Sequence, residues 1–499
     1  MDPLQRIRRH IDQARADGAE HLDLSRGELG VRLRVLPDLS VALGLDGDSK
    51  LPALRSIDLS NHDLDSLPRE MERLAGLAYL DIRGNLIRQL PNVPLPPLII
   101  DTRQWQQLRD QIEDRTIFGL QILLWDIGAD IDFFFEIERR NILWLSLIGG
   151  ALDRIPDALW RLEQLTHLGL SNNWLSELPE SIGQLQRLTH LDLRGNQLSE
   201  LPESIGQLQQ LTSLDLSNQR LSELPESIGQ LQRLTHLDLG YNRLLALPQS
   251  IGQLRQLTRL NLSENLFSVL PESIDQLQQL TNLDLSNNHL SKLPESIGRL
   301  QQLTRLDLSD NQLSKLPESI GQLRQLTRLN LSENLFSVLP ESIDQLQQLT
   351  NLDLSNNRLS KLPESIGRLQ QLTRLDLGGN WLSALPESTG QLQQLTHLDL
   401  GHNRLSALPE SIGQLRQLTR FGLGSNQLSR LPESIGQLQR LTYLNLFNNR
   451  LSELAEGIGD LNALLHLRLD DNRLSDSLTA AVRDGRCVGL FAREECPLV

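Results

Sequence analysis

Leucine and isoleucine return at a fixed interval of 23 residues over most of this chain. Fifteen repeats follow one another in phase, the first beginning at Ile142 and the last at Leu464. The repeat 165–187 reads LTHLGLSNNWLSELPESIGQLQR, and its apolar positions are Leu165, Leu168, Leu170, Leu175, Leu178, Ile182 and Leu185. A single repeat cannot bury so many apolar side chains, so we expect stacked repeats to merge them into one core.

The spacing inside a repeat predicts two kinds of element. Leu168 and Leu170 alternate with polar residues, which predicts a short strand whose third and fifth repeat positions face solvent. Strands of successive repeats then pair in a parallel sheet. Ile182 and Leu185 lie three apart, which favours one face of a short helical turn on the opposite side. Pro179 suits the first position of that turn.

The ninth residue of nearly every repeat is asparagine, as at Asn173. Its amide can satisfy backbone groups of the turn that leaves the strand, which would otherwise be buried without partners. Gln219 and Gly150 take this place in their repeats. Because glutamine reaches some of the same partners, we predict a local defect at Gln219 and not a break.

The pattern LxxLxLxxNxLxxLPxxIxxLxx resembles the leucine-rich repeat (LRR) of the 23-residue, intracellular Ras-suppressor-like class, and bacterial LRR proteins are similar. The resemblance covers residues 54–93 and 142–475. It implies an α/β fold, a leucine-rich-repeat solenoid (horseshoe) with a concave parallel β-sheet and short helical or irregular convex segments. It also implies a protein partner on the concave face and no cofactor.

The repeat pattern divides the chain into five segments. We expect an N-terminal helical cap with an irregular first repeat, two repeats, a non-repeat insert rich in aromatic residues, the fifteen-repeat array, and a C-terminal helical cap. These segments are residues 1–53, 54–93, 94–141, 142–475 and 476–499.

Composition narrows the range of functions. The formal net charge is −15, which argues against a nucleic-acid partner. Cys487 and Cys496 are the only cysteines and form no disulfide framework. No window has the roughly 18 apolar residues of a membrane span. We therefore expect a cytoplasmic monomer, with secretion as an effector left open as the alternative.

The third position of the repeats carries cationic, imidazole and aromatic side chains, and the fifth is mostly aspartate. Neighbouring strands are about 4.8 Å apart, so the two rows are expected to neutralise one another in part. Such a polar, mixed face suits a protein partner. The candidate contacts in this row are Trp144, His167, His190, Arg259, Arg305, Arg328, Arg374, His397, Arg420 and Tyr443.

The histidines and aspartates of this face raise the possibility of a metal site. Zinc needs about four ligands that converge at roughly 2 Å, and side chains splayed from a flat sheet converge poorly. We therefore expect no metal site. Histidines such as His167 and His190 are a possible source of pH sensitivity near neutrality.

Aromatic residues at variable positions extend this candidate surface, because tryptophan, tyrosine and arginine are the usual anchors of interfaces. Trp174, Tyr241, Trp381 and Phe447 lie near the strand exits, and shielding of neighbouring loops is the alternative for the two tryptophans. Phe267 and Phe336 replace a core leucine at the eleventh position and are predicted to be buried. The partner surface is thus expected to include both strand and turn residues.

Part of the array is copied almost without change. Residues 250–308 and 319–377 are identical except that His289 is matched by Arg358. A catalytic pocket would tolerate such copying badly, whereas a modular binding surface would tolerate it well. This favours a non-catalytic scaffold that binds a protein, in signalling or regulation.

Two other functions remain as alternatives. One is an LRR-type ubiquitin ligase or effector that uses Cys487 or Cys496, although the residues after the array are too few for the large catalytic domain of such ligases. The other is a regulatory module that acts with a signalling domain on another chain.

The stretch GADIDFFFEIERRN at 128–141 has no counterpart in the array. Its phenylalanines either seal the end of the core or, at Phe134, dock a partner. If Phe134 is a docking contact, Phe134→Asp weakens partner binding, which a titration with the captured partner would measure. Unchanged binding together with an unchanged melting temperature would exclude docking.

Overall fold

The protein is described from a computed structural model that covers residues 3–16, 21–29, 33, 56–67, 79–90, 98–101, 108, 120–123, 143–148 and 152–474. The chain divides into two compact units, Met1–His236 and Leu237–Val499. We call them the N-terminal and C-terminal units. Phe134, Cys487 and Cys496 lie outside the described residues, as does the predicted C-terminal cap.

The N-terminal unit begins with helix α1, Pro3–Ala16, followed by the short helix α2, Arg26–Leu29. Ile7 and Ile11 are buried on one face of α1. The guanidinium of Arg6 donates a hydrogen bond to the carbonyl of Leu29 at 2.8 Å. The predicted helical start of the chain is therefore present and packs against the first strand region.

The strands of the N-terminal unit pair in parallel, each with the next along the chain. They are β1 His21–Asp23, β2 Ser56–Asp58, β3 Tyr79–Asp81, β4 Leu98–Asp101, β5 Leu120–Leu123, β6 Trp144–Ile148, β7 His167–Gly169, β8 His190–Asp192 and β9 Ser213–Asp215.

Strands β4 and β5 lie inside the range 94–141 that the sequence marks as a non-repeat insert. Leu98 pairs with Leu80 on one side and with Leu120 on the other, and Leu120 pairs with Leu145. The parallel sheet therefore continues through this range with irregular spacing between its strands. The limits of the insert remain a prediction.

Strand β10, His236–Asp238, contains the division between the units. The C-terminal unit continues with parallel strands at a 23-residue spacing, paired in register from β11 to β20. They are β11 Arg259–Asn261, β12 Asn282–Asp284, β13 Arg305–Asp307, β14 Arg328–Asn330, β15 Asn351–Asp353, β16 Arg374–Asp376, β17 His397–Asp399, β18 Arg420–Gly422, β19 Tyr443–Asn445 and β20 His466–Arg468.

The predicted helical turns are 3-10 helices of five residues. In the repeat at 165, the helix is Glu180–Gln184, and Pro179 is its extended cap residue, one position earlier than the sequence suggests. The helices are Asp157–Arg161, Glu180–Gln184, Glu203–Gln207 and Glu226–Gln230 in the N-terminal unit, and Gln249–Gln253, Glu272–Gln276, Glu295–Arg299, Glu318–Gln322, Glu341–Gln345, Glu364–Arg368, Glu387–Gln391, Glu410–Gln414, Glu433–Gln437 and Glu456–Asp460 in the C-terminal unit.

The repeated leucines form the core, as predicted. Leu165, Leu170, Leu175, Ile182 and Leu185 are fully buried in the N-terminal unit. In the C-terminal unit the substituted core positions Phe267 and Phe336 are fully buried, which confirms their assignment. The other side of each strand is left to solvent and to polar side chains.

The ninth-position asparagines join each repeat to the one before it. Asn288 accepts the backbone N–H of Phe267 at 3.0 Å. Its amide nitrogen donates to the carbonyls of Leu262 at 2.9 Å, Leu285 at 3.1 Å and Ser286 at 3.1 Å. One side chain therefore satisfies buried backbone groups of two repeats.

Glutamine in this place keeps the essential pair of bonds. The Gln219 side-chain carbonyl accepts the N–H of Leu198 at 3.0 Å, and its amide nitrogen donates to the carbonyl of Leu193. The strands on both sides of it, β8 and β9, remain paired. The prediction that Gln219 does not break the array is confirmed, and a local defect there stays a prediction.

Asn288→Ala is expected to lower the free energy of unfolding by about 1–3 kcal/mol, because it leaves the Phe267 N–H buried without a partner. The Leu262 carbonyl loses one of its two amide donors and keeps the other, Asn265. Asn288→Gln should lose less, as Gln219 indicates. Urea unfolding followed by circular dichroism measures both. The control Gln302→Ala removes an exposed side chain and should change stability by less than about 0.5 kcal/mol. Equal losses for alanine and glutamine would contradict this account.

Candidate functional site

The third and fifth residues of the repeats form a polar surface on the strands, which we call the strand face. Its third-position residues pair directly with their counterparts on the next strand, as His167 does with His190 and Arg305 with Arg328. This face carries the predicted contacts Trp144, His167 and His190 in the N-terminal unit, and Arg259, Arg305, Arg328, Arg374, His397, Arg420 and Tyr443 in the C-terminal unit.

His167 and His190 stack with their ring centroids 4.2 Å apart and their planes 9° from parallel. The hydroxyl of Thr166 donates to the carbonyl of Leu143 and lies 2.9 Å from Nδ1 of His167. Because that hydroxyl proton is already used, Nδ1 must be the donor in the second bond. The same holds for Thr189 and His190. Both rings therefore present Nε2 as an acceptor.

Three histidines of the strand face have lowered pKa values. Burial, with the neighbouring His190, lowers the pKa of His167 to about 4. Burial also lowers the pKa of His190, and it lowers that of His397 together with Arg374 and Arg420. These shifts favour the neutral imidazole, and at His167 they place the pKa well below neutrality. pH-sensitive partner binding through the other histidines stays a prediction.

The arginines of the strand face are not neutralised by ion pairs. Arg259, Arg305, Arg328, Arg374 and Arg420 are exposed. Within the described part of the chain, none of these five side chains makes an ion pair or a hydrogen bond. The two rows therefore do not form direct ion pairs at these positions. The expected partial neutralisation is seen at Asp376, where burial raises the pKa and the charge of Arg374 opposes that larger effect.

The fifth-position aspartates hold the turn that leaves each strand. Asp284 accepts the N–H of Ser286 at 3.0 Å and its hydroxyl at 2.7 Å. Asp353 accepts the same two groups from Ser355. Sequence reasoning treated this row only as surface charge, although the recurring Asp-Leu-Ser spacing indicates a side chain that caps its own turn.

Several repeats depart from this arrangement, and in three of them glycine follows the aspartate in place of serine. Asp238, Asp376 and Asp399 accept the backbone N–H of Gly240, Gly378 and Gly401, where no hydroxyl is present. Burial raises the pKa of Asp376 to about 6, and the neighbouring carboxylates of Asp353 and Asp399 add to the rise. The structure thus identifies Asp376 as a strongly perturbed group that the sequence did not single out.

The exposed aromatic residues lie at the strand exits and not on the strands themselves. Trp174 is 60% exposed, Tyr241 is 59% exposed and Trp381 is 46% exposed. The guanidinium of Arg404 lies 5.1 Å from the ring centroid of Trp381. Tyr241 holds a left-handed backbone with φ 56°, a conformation that costs a bulky side chain more than it costs asparagine or glycine.

Tyr443 and Phe447 are half-buried at the end of the array. The ring of Tyr443 lies 6.3 Å from that of His466, and the guanidinium of Arg468 lies 5.0 Å from the ring of Phe447. Trp144 is likewise half-buried on β6. These three predicted contacts offer less free surface than the tryptophans at the strand exits.

Family comparisons agree with this architecture. Residues 155–216, 210–287 and 271–352 match the family described as leucine-rich repeat region. Related repeat families match residues 347–390, 370–428 and 440–461. An LRR protein of Leptospira interrogans is 34% identical over 91% of this chain and 97% of that chain, with a TM-score of 0.64. The chain belongs to the leucine-rich repeat family.

Other LRR structures share the fold at lower identity. The LRR ectodomain of the receptor kinase GASSHO1/SCHENGEN3 from Arabidopsis thaliana, solved with CASPARIAN STRIP INTEGRITY FACTOR 2, is 28% identical, covering 85% of this chain and 56% of that chain, with a TM-score of 0.59. YopM from Yersinia enterocolitica is 25% identical, covering 94% and 90%, with a TM-score of 0.51. None of the curated proteins compared with this LRR chain matches it.

The described residues of this LRR protein contain neither a metal-binding cluster nor a membrane-spanning helix. In the described ranges, no three histidine, cysteine, aspartate or glutamate residues come together in a way that could hold a metal ion. No helix of the same ranges is long and apolar enough to cross a membrane. The candidate binding features of this LRR protein are therefore the exposed arginines, carboxylates and aromatic rings described above.

Asp376→Asn is expected to raise the free energy of unfolding at pH 7 by about 1 kcal/mol, allowing for solvent screening of a half-buried carboxylate. The folded-state pKa is raised from 3.8 to about 6. The stability that this group contributes is therefore fully present below about pH 4 and is lost as pH rises through 6. Urea unfolding at pH 4 and pH 7 should show the gain only at pH 7.

The control for this prediction is Asp307→Asn. The carboxylate of Asp307 accepts the N–H and hydroxyl of Ser309 and the amide of Asn330 at 3.0 Å. In Asp307→Asn, the oxygen of the new side chain can accept the Ser309 groups, but its NH2 group then faces the NH2 group of Asn330. Two donors without an acceptor between them should make this variant less stable at pH 7. A gain of equal size in both variants would contradict the explanation.

Proposed function

We propose that this LRR protein is a non-catalytic scaffold that binds a protein partner on the strand face and strand exits of its C-terminal unit. The observation that carries the proposal is Trp381, an indole that is 46% exposed on a turn whose fold does not require it. Arg404, Gln427 and Leu266 occupy the same position in other repeats. Exposed tryptophan beside arginine is the usual composition of an interface centre.

The surroundings of Trp381 support the same conclusion. Gly378 and Gly379 precede it, so no side chain covers the approach to the indole from its own turn. The Arg404 guanidinium at 5.1 Å limits the freedom of the ring through a cation–π contact. A ring that is already held in place loses less conformational entropy when a partner covers it.

A known complex supports the class of ligand. The Arabidopsis ectodomain was solved with CASPARIAN STRIP INTEGRITY FACTOR 2 bound to it. CASPARIAN STRIP INTEGRITY FACTOR 2 is a ligand of that receptor, and the comparison supports only the proposal that an LRR surface of this chain binds a partner.

We further propose a cytoplasmic, regulatory role, supported by the scarcity of cysteine. Cell fractionation with a thiol-labelling assay tests the location, and recovery outside the cell would overturn it.

Affinity capture from the source cells, followed by mass spectrometry, should return a partner in stoichiometric amount. Trp381→Ala is expected to weaken binding of that partner about 30-fold, which corresponds to about 2 kcal/mol for a central aromatic contact. Titration calorimetry with wild type and variant measures the change.

The matched control is Gln393→Ala in the same repeat, which removes an exposed side chain on the side of the 3-10 helices. It should bind the partner as tightly as wild type. Equal affinities for wild type, Trp381→Ala and Gln393→Ala would overturn the proposed position of the interface.

A further inference from the structure

The five exposed arginines of the strand face form an uneven row, which we call the arginine row: Arg259, Arg305, Arg328, Arg374 and Arg420. Shorter side chains separate most of them. Asn282 lies between Arg259 and Arg305, and Asn351 lies between Arg328 and Arg374. Arg305 and Arg328 are the exception, because they pair directly across β13 and β14. Their backbones are therefore only about 4.8 Å apart.

This close pair is not needed by the fold. Like charges directly opposite each other on neighbouring strands are destabilising. Asparagine, serine and histidine occupy the same repeat position elsewhere, at Asn282, Ser213 and His397, without disturbing the strand pairing. The row is exposed, so its arginines are also not required for the core.

The one carboxylate on the two strands of this pair, Asp307, already accepts hydrogen bonds. Asp307 on β13 accepts two groups of Ser309 through one oxygen, and the amide of Asn330 through the other at 3.0 Å. The fifth position of β14 is Asn330 itself, so that strand carries no carboxylate on this face. Both oxygens of Asp307 thus have partners from turn and side-chain groups, and neither guanidinium of the pair bonds to it.

Other arginines of the molecule show what an available carboxylate does. Arg299 pairs with Asp275 at 2.6 Å, and Arg368 pairs with Asp344 at 2.7 Å, both near the 3-10 helices. Arg305 and Arg328 make no such pair within the described residues. The guanidinium groups of Arg305 and Arg328 are therefore available to bind anionic groups of another molecule.

We propose that Arg305 and Arg328 bind carboxylate side chains from an acidic segment of the protein partner. The inference rests on the proposed scaffold function and names the chemistry of its partner. The planar guanidinium fork matches a carboxylate with two parallel hydrogen bonds. Arg259 and Arg374 lie two strands away on either side, about 10 Å from the pair, and extend the site for further acidic residues.

A continuous polyanion fits this face less well than discrete carboxylates. Asp307 lies on the strand of Arg305, and Asp284 and Asp353 lie on strands of the same face next to the arginine pair. A nucleic-acid backbone would meet them along with the arginines, whereas a peptide can place neutral or basic residues opposite them. The net charge of −15 adds to this repulsion.

The test uses the full chain and a fluorescein-labelled peptide made of alternating glutamate and glycine, with binding followed by fluorescence anisotropy at low salt. Arg305→Gln/Arg328→Gln should weaken peptide binding at least about tenfold, since both bidentate contacts are lost. The control Arg255→Gln/Arg324→Gln makes the same charge change at exposed positions away from the strand face and should leave binding unchanged.

Equal losses in the two double variants would show that only net charge matters and would overturn the site. Tighter binding of a single-stranded oligonucleotide of equal charge would overturn the choice of a protein segment. The captured partner separates this inference from the scaffold proposal. If that partner binds Arg305→Gln/Arg328→Gln normally but is lost with Trp381→Ala, the acidic-segment inference fails and the scaffold stands. If neither variant affects it, the scaffold proposal for this face fails.

Discussion

The amide of the ninth-position asparagine is the interaction on which the repeat architecture depends. The turn after each strand buries a backbone N–H that only the asparagine of the next repeat binds, as Asn288 does for Phe267. The same asparagine also donates to carbonyls of both repeats, such as Leu262 and Leu285. A repeat is therefore incompletely bonded until its successor has folded. This makes neighbouring repeats cooperative, beyond what merging their leucines provides.

That constraint decides which positions are free to carry function. Core leucines and ninth-position asparagines are fixed by burial, and the fifth-position aspartates are half fixed because they cap their own turns. The third position is not fixed by burial or by capping, and different repeats have arginine, asparagine, histidine or tyrosine there. Asp376 lies between these cases: it caps its turn through the backbone N–H of Gly378 alone, and burial raises its pKa.

The sequence predicted what depends on periodicity. Strand positions, the buried core with Phe267 and Phe336, and the function of the asparagines all follow from a 23-residue spacing, as does the exposure of Trp174 and Trp381. Side-chain pairing across repeats did not follow from it. Whether Arg305 reaches a carboxylate depends on bonds that Asp307 makes to Ser309 and Asn330, and whether His167 titrates near neutrality depends on its burial against His190. These contacts join side chains of different repeats, and the residue spacing within one repeat does not determine them.

The copied segments explain how the arginine pair arose. Residues 250–308 and 319–377 each contain third-position residues in the order arginine, asparagine, arginine. Within either copy the asparagine separates the two arginines. Only where the end of one copy meets the start of the other do Arg305 and Arg328 become cross-strand neighbours. Copying whole repeats preserved every buried bond of the fold, because each repeat brings its own asparagine, and it created a surface feature that neither copy contains alone. A repeat array can in this way acquire a new charged site without any change to its core.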